Sequence, residues 1–495
     1  MDHSTQIYDV IILGAGFGGL GMGAQLKREG LDNFLILEKA AAIGGVWRDN
    51  NYPGAACDTE AHLYCYSFAP HLRVSRMYAG RDEHMGYLQR LVDTFDLTPQ
   101  LCLGTEVTDA VWDEHAGVWV IRSADGVERH ARFFVPAWGQ LNTPQIPAFD
   151  GLETFAGAYF HSAQWDHTVE LPGKKVISVG AAASAVQYVP EVAKVAEHLT
   201  VLQRSPNWIM PRNQIVFTDD QLEAYEANPE LFEESRQKLH AFRENGFART
   251  RHNTDAQQEG MAQALAHLAA QVADEDLRHK LTPDYEFGCK RILRTDDYYP
   301  ALMRENVELI TERIDRIVPE GILTRDGTVH KADVIIFGTG FDSQAFQGEL
   351  TITGVAGADL KSRWIEGPES YLGMAVDDFP NMFMVYGPNT NLNHNSIITM
   401  LEIQQRHIIQ VLEALLPVRG EAVSVRPEAL ARFNEELQAQ MQGSAFSSDC
   451  SSWYKNAAGK VINNWSGTVD EYRQLAETWD ETNYIRHRIK EVQPA

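Results

Sequence analysis

The sequence predicts an α/β fold with two Rossmann-like domains and a helical insertion in the second domain. Two stretches, beginning near residues 8 and 173, each have the pattern of a strand, a turn of small residues, a helix and a second strand. A third stretch, residues 213–285, is rich in Ala, Glu, Gln and Leu and nearly free of Pro and Gly, which is typical of helices. The chain of 495 residues is also too long for a single hydrophobic core.

The first strand–helix–strand unit reads YDVIILGAGFGGLGMGAQLKREGLDNFLILEKA. In it, Gly14 fits a tight turn, Gly16 lets the backbone approach a pyrophosphate at the helix N-terminus, and Gly19 permits close packing of the helix on the sheet. Glu38 ends the second strand, where an acid accepts from a ribose hydroxyl and repels the 2′-phosphate of NADP. The pattern favours a site for FAD or NAD over a plain tight turn before a helix.

The second unit reads GKKVISVGAAASAVQYVPEVAKVAEHLTVLQRSP. Its second strand is followed by Arg204 and Ser205 in place of an acid, which suits a 2′-phosphate and predicts NADPH. Gly180 opens the turn and Ala185 takes the third small-residue position, but Ala182 places a methyl group where the backbone approaches the pyrophosphate. A degenerate Rossmann repeat that binds no coenzyme is the alternative.

Charge and hydropathy exclude several classes of partner. The 43 Lys and Arg residues against 68 Asp and Glu give a formal net charge of −25, which disfavours nucleic acid and anionic membranes because both need basic patches. The N-terminus lacks the basic and apolar regions of a signal peptide, and the sequence has no run of about 20 apolar residues. We therefore expect a soluble, cytoplasmic protein.

The cysteines predict neither a metal site nor a disulfide framework. They are odd in number and scattered, without the C-x2-C spacing of a zinc site. We expect no bound metal and five reduced thiols, which are Cys57, Cys65, Cys102, Cys289 and Cys450.

Two further motifs resemble the fingerprints of the Baeyer–Villiger monooxygenases. GGVWRDNNYPGAACD at residues 44–58 matches the long fingerprint, and FAGAYFHSAQWD at 155–166 matches the short one. Related flavin-containing and N-hydroxylating monooxygenases have a similar pattern without the final Trp-Asp, so this ending distinguishes the family. The matching positions are Gly44, Gly45, Trp47, Tyr52, Pro53, Gly54 and Asp58 in the first motif and Phe155, Gly157, His161, Trp165 and Asp166 in the second.

The resemblance covers nearly the whole chain. It continues through CKRILRTDDYYPAL, FPNMFMVYGPNT and CSSWYKNAAG, and LNTPQIP and FHSAQWDH are most similar to the 4-hydroxyacetophenone monooxygenase type, whose long N-terminal extension is missing here. Together with the strand and helix pattern, it implies an FAD domain from residues 1–145 and 346–495, an NADP domain from 151–212 and 286–345, and the helical insertion at 213–285.

The family's chemistry implies roles for particular residues. NADPH reduces FAD, the reduced flavin captures O2 as a C4a-peroxyflavin, and this species attacks a ketone to give an ester or a lactone. Arg291 matches the arginine that stabilises the anionic intermediates, and Asp58 matches the carboxylate that orients it. Lys290 matches the lysine that holds the 2′-phosphate together with Arg204. A surface salt bridge is the alternative interpretation of Arg291.

The resemblance also implies the cofactor contacts. Trp47 and Tyr64 would pack at the flavin and Trp453 would close over the nicotinamide, while Ala56 stands where the family usually has an arginine. The predicted FAD-binding residues are Gly14, Gly16, Phe17, Gly18, Gly19, Glu38, Lys39, Gly45, Val46, Trp47, Asp58, Tyr64, Val107 and Ile397. The predicted NADP-binding residues are Gly180, Ala182, Ala183, Ser184, Ala185, Gln187, Arg204, Ser205, Lys290 and Trp453.

The short fingerprint is expected to lie in a linker loop between the two nucleotide domains. There His161, with Trp165 and Asp166, would couple the positions of the domains without taking part in the chemistry. A hydrogen-bonded loop histidine is the alternative interpretation of His161.

Three functions remain open from the sequence alone. The first is an enzyme that makes esters from a small-molecule ketone and O2, acting as a monomer or a homodimer. The second is a heteroatom monooxygenase of the same architecture that oxidises sulfides or amines, and the Trp165–Asp166 ending argues against it. The third is an oxidase-like flavoprotein with weak use of NADPH, which Ala56 and Ala182 suggest.

Overall fold

A computed structural model describes residues 6–489 of the chain. The strands are β1 (Ile7–Leu13), β2 (Phe34–Leu37), β3 (Leu101–Cys102), β4 (Val107–Asp113), β5 (Val118–Ser123), β6 (Glu128–Pro136), β7 (Ala158–His161), β8 (Lys175–Val179), β9 (His198–Leu202), β10 (Ile209–Met210), β11 (Leu293–Arg294), β12 (Val307–Ile310), β13 (Ile314–Val318), β14 (Gly321–Thr324), β15 (Val329–Lys331), β16 (Val334–Phe337), β17 (Thr351–Thr353), β18 (Glu421–Val425) and β19 (Tyr484–Arg488). The α-helices are α1 (Phe17–Arg28), α2 (Val46–Asp49), α3 (Arg81–Thr94), α4 (Ala185–Val195), α5 (Asp219–Ala227), α6 (Pro229–Asn245), α7 (Asp255–Gln271), α8 (Glu275–Leu281), α9 (Tyr298–Leu302), α10 (Leu360–Arg363), α11 (Ile397–Leu415), α12 (Pro427–Met441) and α13 (Val469–Ala476).

The first large sheet has the strand order β17-β4-β5-β6-β1-β2-β3. Strand β1 pairs in parallel with β2 and with β6, and α1 connects β1 to β2 as the first unit predicts. All four residues of β2 are buried, as expected for a strand whose sheet is covered on both faces. Strand β17 joins this sheet from residues 351–353 by pairing with β4, so the chain returns to the first sheet late in the sequence.

The second large sheet consists of parallel strands in the order β12-β9-β8-β16-β7. Strands β8 and β9 are joined by α4, which is the second predicted unit. The strands of this sheet all come from residues 158–337, which lie between β6 and β17 in the chain. A small antiparallel sheet of β13, β14 and β15 follows β12.

The predicted helical insertion contains α5 to α8. Local signals start these helices, because the side chains of Thr218, Asn228, Thr254 and Asp274 each accept a hydrogen bond from a backbone N–H in the first turn. Two charged residues of the insertion, Arg236 and Arg243 on α6, are buried and ion-paired. None of the helices in residues 6–489 combines the length and the apolar character that a membrane span requires.

The short fingerprint does not form the loop that the sequence predicts. Its residues 158–161 are the edge strand β7, in which His161 lies beside Phe337 of β16. A short 3-10 helix, Ser162–Gln164, follows directly. The sequence Ala-Tyr-Phe-His has two aromatic residues with high strand propensity, and the parallel edge of β16 supplies their hydrogen-bond partners.

The expectation of five reduced thiols is wrong for two of them. Cys289 and Cys450 form a disulfide with their Cα atoms 6.4 Å apart, whereas Cys57, Cys65 and Cys102 are free. The two bonded cysteines are separated by 161 residues, so their spacing in the sequence carries no sign of the pair. Only the fold brings them within bonding distance.

Candidate active site

A cleft of about 2040 Å³ lies where the last residues of β1, β2, β8 and β9 face each other. Sites for one small molecule usually have volumes of roughly 300–1000 Å³, so the cleft has room for two dinucleotides and a substrate. Of the predicted catalytic and cofactor-binding residues, Gly19 and Ala185 do not line it. Those that line it are Gly14, Gly16, Phe17, Gly18, Glu38, Lys39, Gly45, Val46, Trp47, Asp58, Tyr64, Val107, Gly180, Ala182, Ala183, Ser184, Gln187, Arg204, Ser205, Lys290, Arg291, Ile397 and Trp453.

The glycine turn after β1 forms an anion cradle. Gly14 has φ +106°, and a Cβ atom there would lie 2.6 Å from the carbonyl oxygen of Ala137. A Cβ atom on Gly19 would lie 1.8 Å from the carbonyl oxygen of Gly14, so Gly19 serves the packing of α1. At Gly16 the nearest atom is the Cα of Gly45, 3.7 Å away, and the bare backbone faces the cleft. The turn therefore has room for a pyrophosphate at the N-terminus of α1.

Glu38 is held in place by three donors. Its carboxylate accepts from the backbone N–H groups of Ala15 and Ala40, both at 2.9 Å, and from Arg48 Nη1 at 3.1 Å. A carboxylate offers about four acceptor positions, so one is left for a ribose hydroxyl. Arg48 also lines the cleft. The sequence analysis missed it because an arginine within the long fingerprint has no local signal that distinguishes a cleft residue from a solvent-exposed one.

Aromatic rings form a rigid part of the cleft wall. The ring centroids of Trp47 and Tyr64 lie 5.7 Å apart in an edge-on arrangement, and Trp47 Nε1 donates to the Tyr64 hydroxyl at 3.2 Å. Phe17 and His84 support them at 5.1 Å from Tyr64 and 4.2 Å from Trp47, respectively. Burial lowers the pKa of His84 to about 3, so this imidazole is neutral at physiological pH. The wall suits a flat aromatic ligand.

Arg291 and Asp58 form a forked ion pair in the cleft. Arg291 Nη2 lies 2.7 Å from both carboxylate oxygens of Asp58, and Nε lies 3.1 Å from one of them. Burial acts to raise the pKa of Asp58, but the Arg291 guanidinium outweighs it and holds this pKa below its usual range. The carboxylate of Asp58 in turn raises the pKa of Arg291. Arg291 Nη1 has no hydrogen-bond partner among residues 6–489, so it remains available to a ligand.

The helical insertion supports this pair, which the sequence analysis did not anticipate. Arg243 on α6 donates from Nη2 to the backbone carbonyl of Asp58 at 3.2 Å and from Nε to Glu60 at 2.8 Å. The Tyr78 hydroxyl completes the contacts of Glu60 at 3.1 Å. Arg243 therefore fixes the backbone of Asp58, while Arg291 binds its carboxylate. These residues are distant in the sequence, so only the fold brings them together.

Lys290, Arg204 and Ser205 come together on the other side of the cleft, as predicted. Lys290 Nζ donates to the Ser205 hydroxyl at 3.0 Å and lies 4.2 Å from the ring centroid of Tyr285. Burial and the nearby Arg204 charge lower the pKa of Lys290. In the described part of the chain neither cation has a carboxylate within salt-bridge distance. Two cations without a carboxylate partner, beside a hydroxyl, have the chemistry that suits a phosphate.

The turn after β8 resembles the first turn in one respect and differs in another. Gly180 has φ +101°, and a Cβ atom there would lie 2.5 Å from the carbonyl oxygen of Gly338. Ala182 is exposed on the cleft wall, so its methyl group narrows the approach to the turn. Gln187 on α4 bonds to the backbone of Ala56, with Nε2 donating to the carbonyl at 2.9 Å and Oε1 accepting from the N–H at 3.3 Å. Its amide thus joins the two halves of the cleft.

Trp453 lies in the wall of the cleft and is partly buried. Its carbonyl oxygen accepts from the Ser343 hydroxyl at 2.9 Å and from Asn463 Nδ2 at 2.8 Å. Its indole packs against the ring of Tyr454 at 4.6 Å. The backbone of Trp453 is fixed by these bonds, while the indole borders the cleft.

The residues of the short fingerprint do not line the cleft in the part of the chain that the structure describes. His161 is buried, which lowers its pKa, and its ring contacts Phe341 at 5.7 Å in the turn after β16. Trp165 packs on Tyr188 of α4 at 5.6 Å, and Asp166 accepts from neighbouring backbone and hydroxyl groups. These contacts hold the edge of the second sheet against α4 and the turn after β16.

Tyr386 is a further cleft residue that the sequence analysis missed. Its φ of +66° lies in the left-handed region, which costs a residue with a side chain on the order of 1–3 kcal/mol. Its N–H donates to Gln404 Oε1 and its hydroxyl donates to Asn391 Oδ1, both at 2.9 Å. Burial raises the pKa of Tyr386, so the phenol is protonated near Arg291. The left-handed backbone thus places Tyr386 in the cleft wall, near enough to Arg291 for the two groups to interact electrostatically.

Known proteins share this architecture. The family model described as pyridine nucleotide-disulphide oxidoreductase matches residues 11–218, which include the second strand–helix–strand unit and all but the first residues of the first one. A protein of Pseudomonas aeruginosa named Baeyer-Villiger monooxygenase is 37% identical over 477 residues, covering 96% of this chain and 90% of its own. The chain belongs to the Baeyer–Villiger monooxygenase family. The resemblance of the two fingerprints to this family is thereby confirmed.

Solved structures agree with this family. A steroid monooxygenase in its oxidised state with bound NADP has a TM-score of 0.86 and 31% identity, covering 98% of this chain and 100% of that chain. The crystal structure of OTEMO in complex with FAD and NADP has a TM-score of 0.87 and 25% identity, covering 97% and 99%. As a Baeyer–Villiger monooxygenase, the chain is an α/β oxidoreductase that uses FAD and NADPH, and the predicted fold class, enzyme class and cofactors are confirmed.

Proposed function

We propose that this Baeyer–Villiger monooxygenase inserts one oxygen atom of O2 next to the carbonyl group of a small ketone, giving an ester or a lactone, at the site formed by Arg291 and Asp58. The forked ion pair between these residues carries the proposal. It faces the cleft between the two anion-binding turns, where both cofactors and a substrate have room to meet.

The two halves of the cleft would bind different cofactors. FAD would lie with its pyrophosphate at Gly16, its ribose at Glu38 and its ring system against Trp47 and Tyr64. When FAD is bound and reduced, its flavin ring is the group that reacts with O2. NADPH would lie on the other half, with its 2′-phosphate between Lys290 and Arg204. This division leaves the ion pair between the reactive ends of the two cofactors.

Arg291 would act as a fixed cation. Asp58 remains ionised because its pKa is held low, and it uses Nε and Nη2 of the guanidinium. The Nη1 group then points its donors at an oxygen that gains negative charge during the reaction. Removing one such stabilising donor typically lowers a rate by about 10²–10³. The role of Asp58 is to keep the cation in place.

We assign the chain segments to domains in the same way. Residues 1–145 and 346–495 would form the FAD domain, 151–212 and 286–345 the NADP domain, and 213–285 the insertion. The strand membership of the two large sheets supports this division, because β17 joins the first sheet after the second sheet is complete. The contacts of His161 and Trp165 support a role of the short fingerprint in holding the NADP domain together.

Two measurements test the proposed function. Anaerobic mixing of the FAD-loaded enzyme with NADPH should bleach the flavin absorbance rapidly, and an unbleached flavin would contradict the use of NADPH. A panel of linear, cyclic, aryl and steroid ketones, with products identified by mass spectrometry, should then yield an ester or a lactone from at least one member. Oxidation of sulfides or amines with no ester from any ketone would favour a heteroatom monooxygenase instead.

Assembly and location are part of the proposal. We expect a cytoplasmic enzyme that acts as a monomer or a homodimer without nucleic acid or membrane partners, and the net charge of −25 supports this. Light scattering after size-exclusion chromatography distinguishes the two assemblies, and a larger oligomer would contradict the proposal. Cell fractionation of the native host tests the location.

A further inference from the structure

The disulfide between Cys289 and Cys450 joins two segments that line the cleft. Cys289 directly precedes Lys290 and Arg291, and Cys450 lies three residues before Trp453. The bond therefore links the segment with the two functional cations to the segment with the indole. A covalent link at this place connects the segment predicted to hold the 2′-phosphate with the segment predicted to cover the nicotinamide.

The segment around Cys450 has little regular structure of its own. We call residues 448–459 the cleft loop. In it the structure has turns and a single bridge residue, Lys455, and most of its residues line the cleft. Its polar ties to the rest of the protein include the bond from the Ser448 hydroxyl to Glu286 and the bonds to the carbonyl of Trp453. Its second half is anchored by Tyr454, which is fully buried with its hydroxyl bonded to Asn393, and by Asn456, which donates to the Glu366 carbonyl. The disulfide is the covalent tie of the first half, which precedes these anchors.

The two sulfur atoms differ in accessibility. Cys289 is fully buried, whereas Cys450 is partly exposed and lines the cleft. A small peroxide or a dithiol that enters the cleft therefore meets Cys450 first. Accessible disulfides next to functional sites are more often reversible than structural ones.

We propose that Cys289 and Cys450 form a reversible redox latch, which in its oxidised state holds the cleft loop, and with it Trp453, against the NADP-binding segment. The proposal rests on the proposed function only in that NADPH binds between these segments. With the latch closed, the coenzyme is retained in the cleft. With the latch open, the part of the loop next to Cys450 is less restrained and the coenzyme binds more weakly.

The redox step is balanced with a peroxide as oxidant. The Cys450 thiolate attacks the O–O bond of hydrogen peroxide, which gives a sulfenic acid and hydroxide. The Cys289 thiol then attacks that sulfur, the S–S bond forms, and water leaves. The net reaction converts two thiols and one peroxide into one disulfide and two waters. In the reverse direction a dithiol reductant attacks Cys450, releases the Cys289 thiol and is itself oxidised to a disulfide.

The first test measures the bond itself. The purified FAD-loaded enzyme is treated with iodoacetamide under denaturing conditions, with and without prior reduction, and its peptides are analysed by mass spectrometry. We expect the peptides with Cys289 and Cys450 to be linked after peroxide treatment and alkylated after dithiothreitol treatment. This readout does not depend on any enzyme activity. Alkylation of both cysteines in the peroxide-treated enzyme would overturn the proposal.

The second test measures coupling to the coenzyme. We expect the Kd for NADP+, measured by calorimetry, to rise about tenfold in Cys450→Ser, within the usual range for coupled sites. Because linkage is reciprocal, NADP+ should shift the reduction potential of the pair by the same factor, which is about 30 mV for a two-electron couple. Equal Kd values for the oxidised and reduced wild-type enzyme would overturn the proposal.

Variants distinguish the effect of losing the disulfide from the effect of losing a cysteine side chain. Cys289→Ser, Cys450→Ser and the double variant should have the same Kd for NADP+, since each lacks the same bond. Additive effects would show two independent packing defects and contradict a latch. Cys102→Ser removes a free thiol outside the cleft and serves as the matched control, with an unchanged Kd. An enzyme that has the latch but oxidises no ketone would contradict the proposed function and leave the latch intact.

Discussion

The side-chain amide of Gln187 forms two hydrogen bonds with the backbone of Ala56, one to its carbonyl and one from its N–H. It also accepts from the Tyr52 hydroxyl at 3.0 Å. Gln187 belongs to α4, whereas Ala56 lies two residues before Asp58. One amide thus fixes the carboxylate of the ion pair relative to the second sheet.

We expect Gln187→Met, which keeps the length of the side chain, to leave both backbone groups of Ala56 without their partner. A fully buried unsatisfied group costs about 1–3 kcal/mol, and because Ala56 is only partly buried the free energy of unfolding should fall by an amount near or below the lower end of this range. Because Asp58 is then less well placed, the yield of ester per NADPH should fall and hydrogen peroxide should increase. Gln89→Met on the exposed face of α3 is the control. Unchanged yield and stability in Gln187→Met would remove Gln187 from this role.

Arg291 should act on oxygen transfer and much less on flavin reduction. In Arg291→Ala the rate of ester formation should fall by about 10²–10³, because a fixed cation near the developing anion is lost. The variant should still accept hydride from NADPH and release hydrogen peroxide. Asp58→Ala should lie between this variant and the wild type, since the cation remains but is badly aimed. Stopped-flow spectra and product yield per NADPH distinguish these outcomes, and an Arg291→Ala enzyme with unchanged yield would reduce the pair to a structural salt bridge.

Lys290 and Arg204 should determine the preference for NADPH over NADH. A charge-assisted hydrogen bond is worth about 1.5–3 kcal/mol, so Lys290→Ala and Arg204→Ala should each lower kcat/KM for NADPH by roughly tenfold or more. The same quantity for NADH should change little, because NADH has no 2′-phosphate. Lys174→Ala, on the exposed segment before β8, is the control. Comparable kcat/KM of the wild type with both coenzymes would contradict this assignment.

His407 should make the protein less stable in acid. Burial between α11, α13 and β19 lowers its pKa to about 4, and its Nδ1 donates to the Ala476 carbonyl at 2.8 Å. The unfolded chain binds this proton near pH 6.5 and the folded chain does not, so stability is full above about pH 6.5 and is lost as the pH falls to about 4.

The slope attributable to His407 is at most about 1.4 kcal/mol per pH unit. His407→Gln should therefore flatten the pH dependence of the free energy of unfolding, measured by urea titration, over this range. The exposed His115→Gln should leave the slope unchanged. The same slope in both variants would show that other buried groups, such as His62 or His71, carry the acid sensitivity.

Local patterns predicted most of the fold and much of the cleft. The turns at Gly14 and Gly180 have a local cause in the positive φ of each glycine, whereas the carbonyls that leave no room for a side chain come from the distant residues Ala137 and Gly338. The apolar runs of β1 and β8 and the end residues Glu38 and Arg204 are equally local. Once these units are placed in parallel sheets, the residues that follow their strands must share one edge.

Other features depend on segments that are distant in the sequence. Arg243 lies in a helix whose charged residues have the composition of a solvated surface, and only the packing of α6 brings it to Asp58. Tyr386 owes its position to a left-handed backbone imposed by Gln404 and its other neighbours. The Cys289–Cys450 pair and the strand pairing of His161 are long-range in the same sense.

The late return of β17 to the first sheet determines the order in which the molecule is completed on the ribosome. Residues 158–337, which contain all strands of the second sheet, leave the exit tunnel as one continuous stretch. At that time the edge of β4 has no partner, because residues 351–353 are not yet synthesised. The contacts of α1 are completed later still, because Gln405 of α11 donates to the carbonyl of Gly18 at 3.2 Å. Until residues 351–353 are synthesised, the nascent chain therefore has an unpaired β4 edge, and an unpaired strand edge invites pairing with other chains.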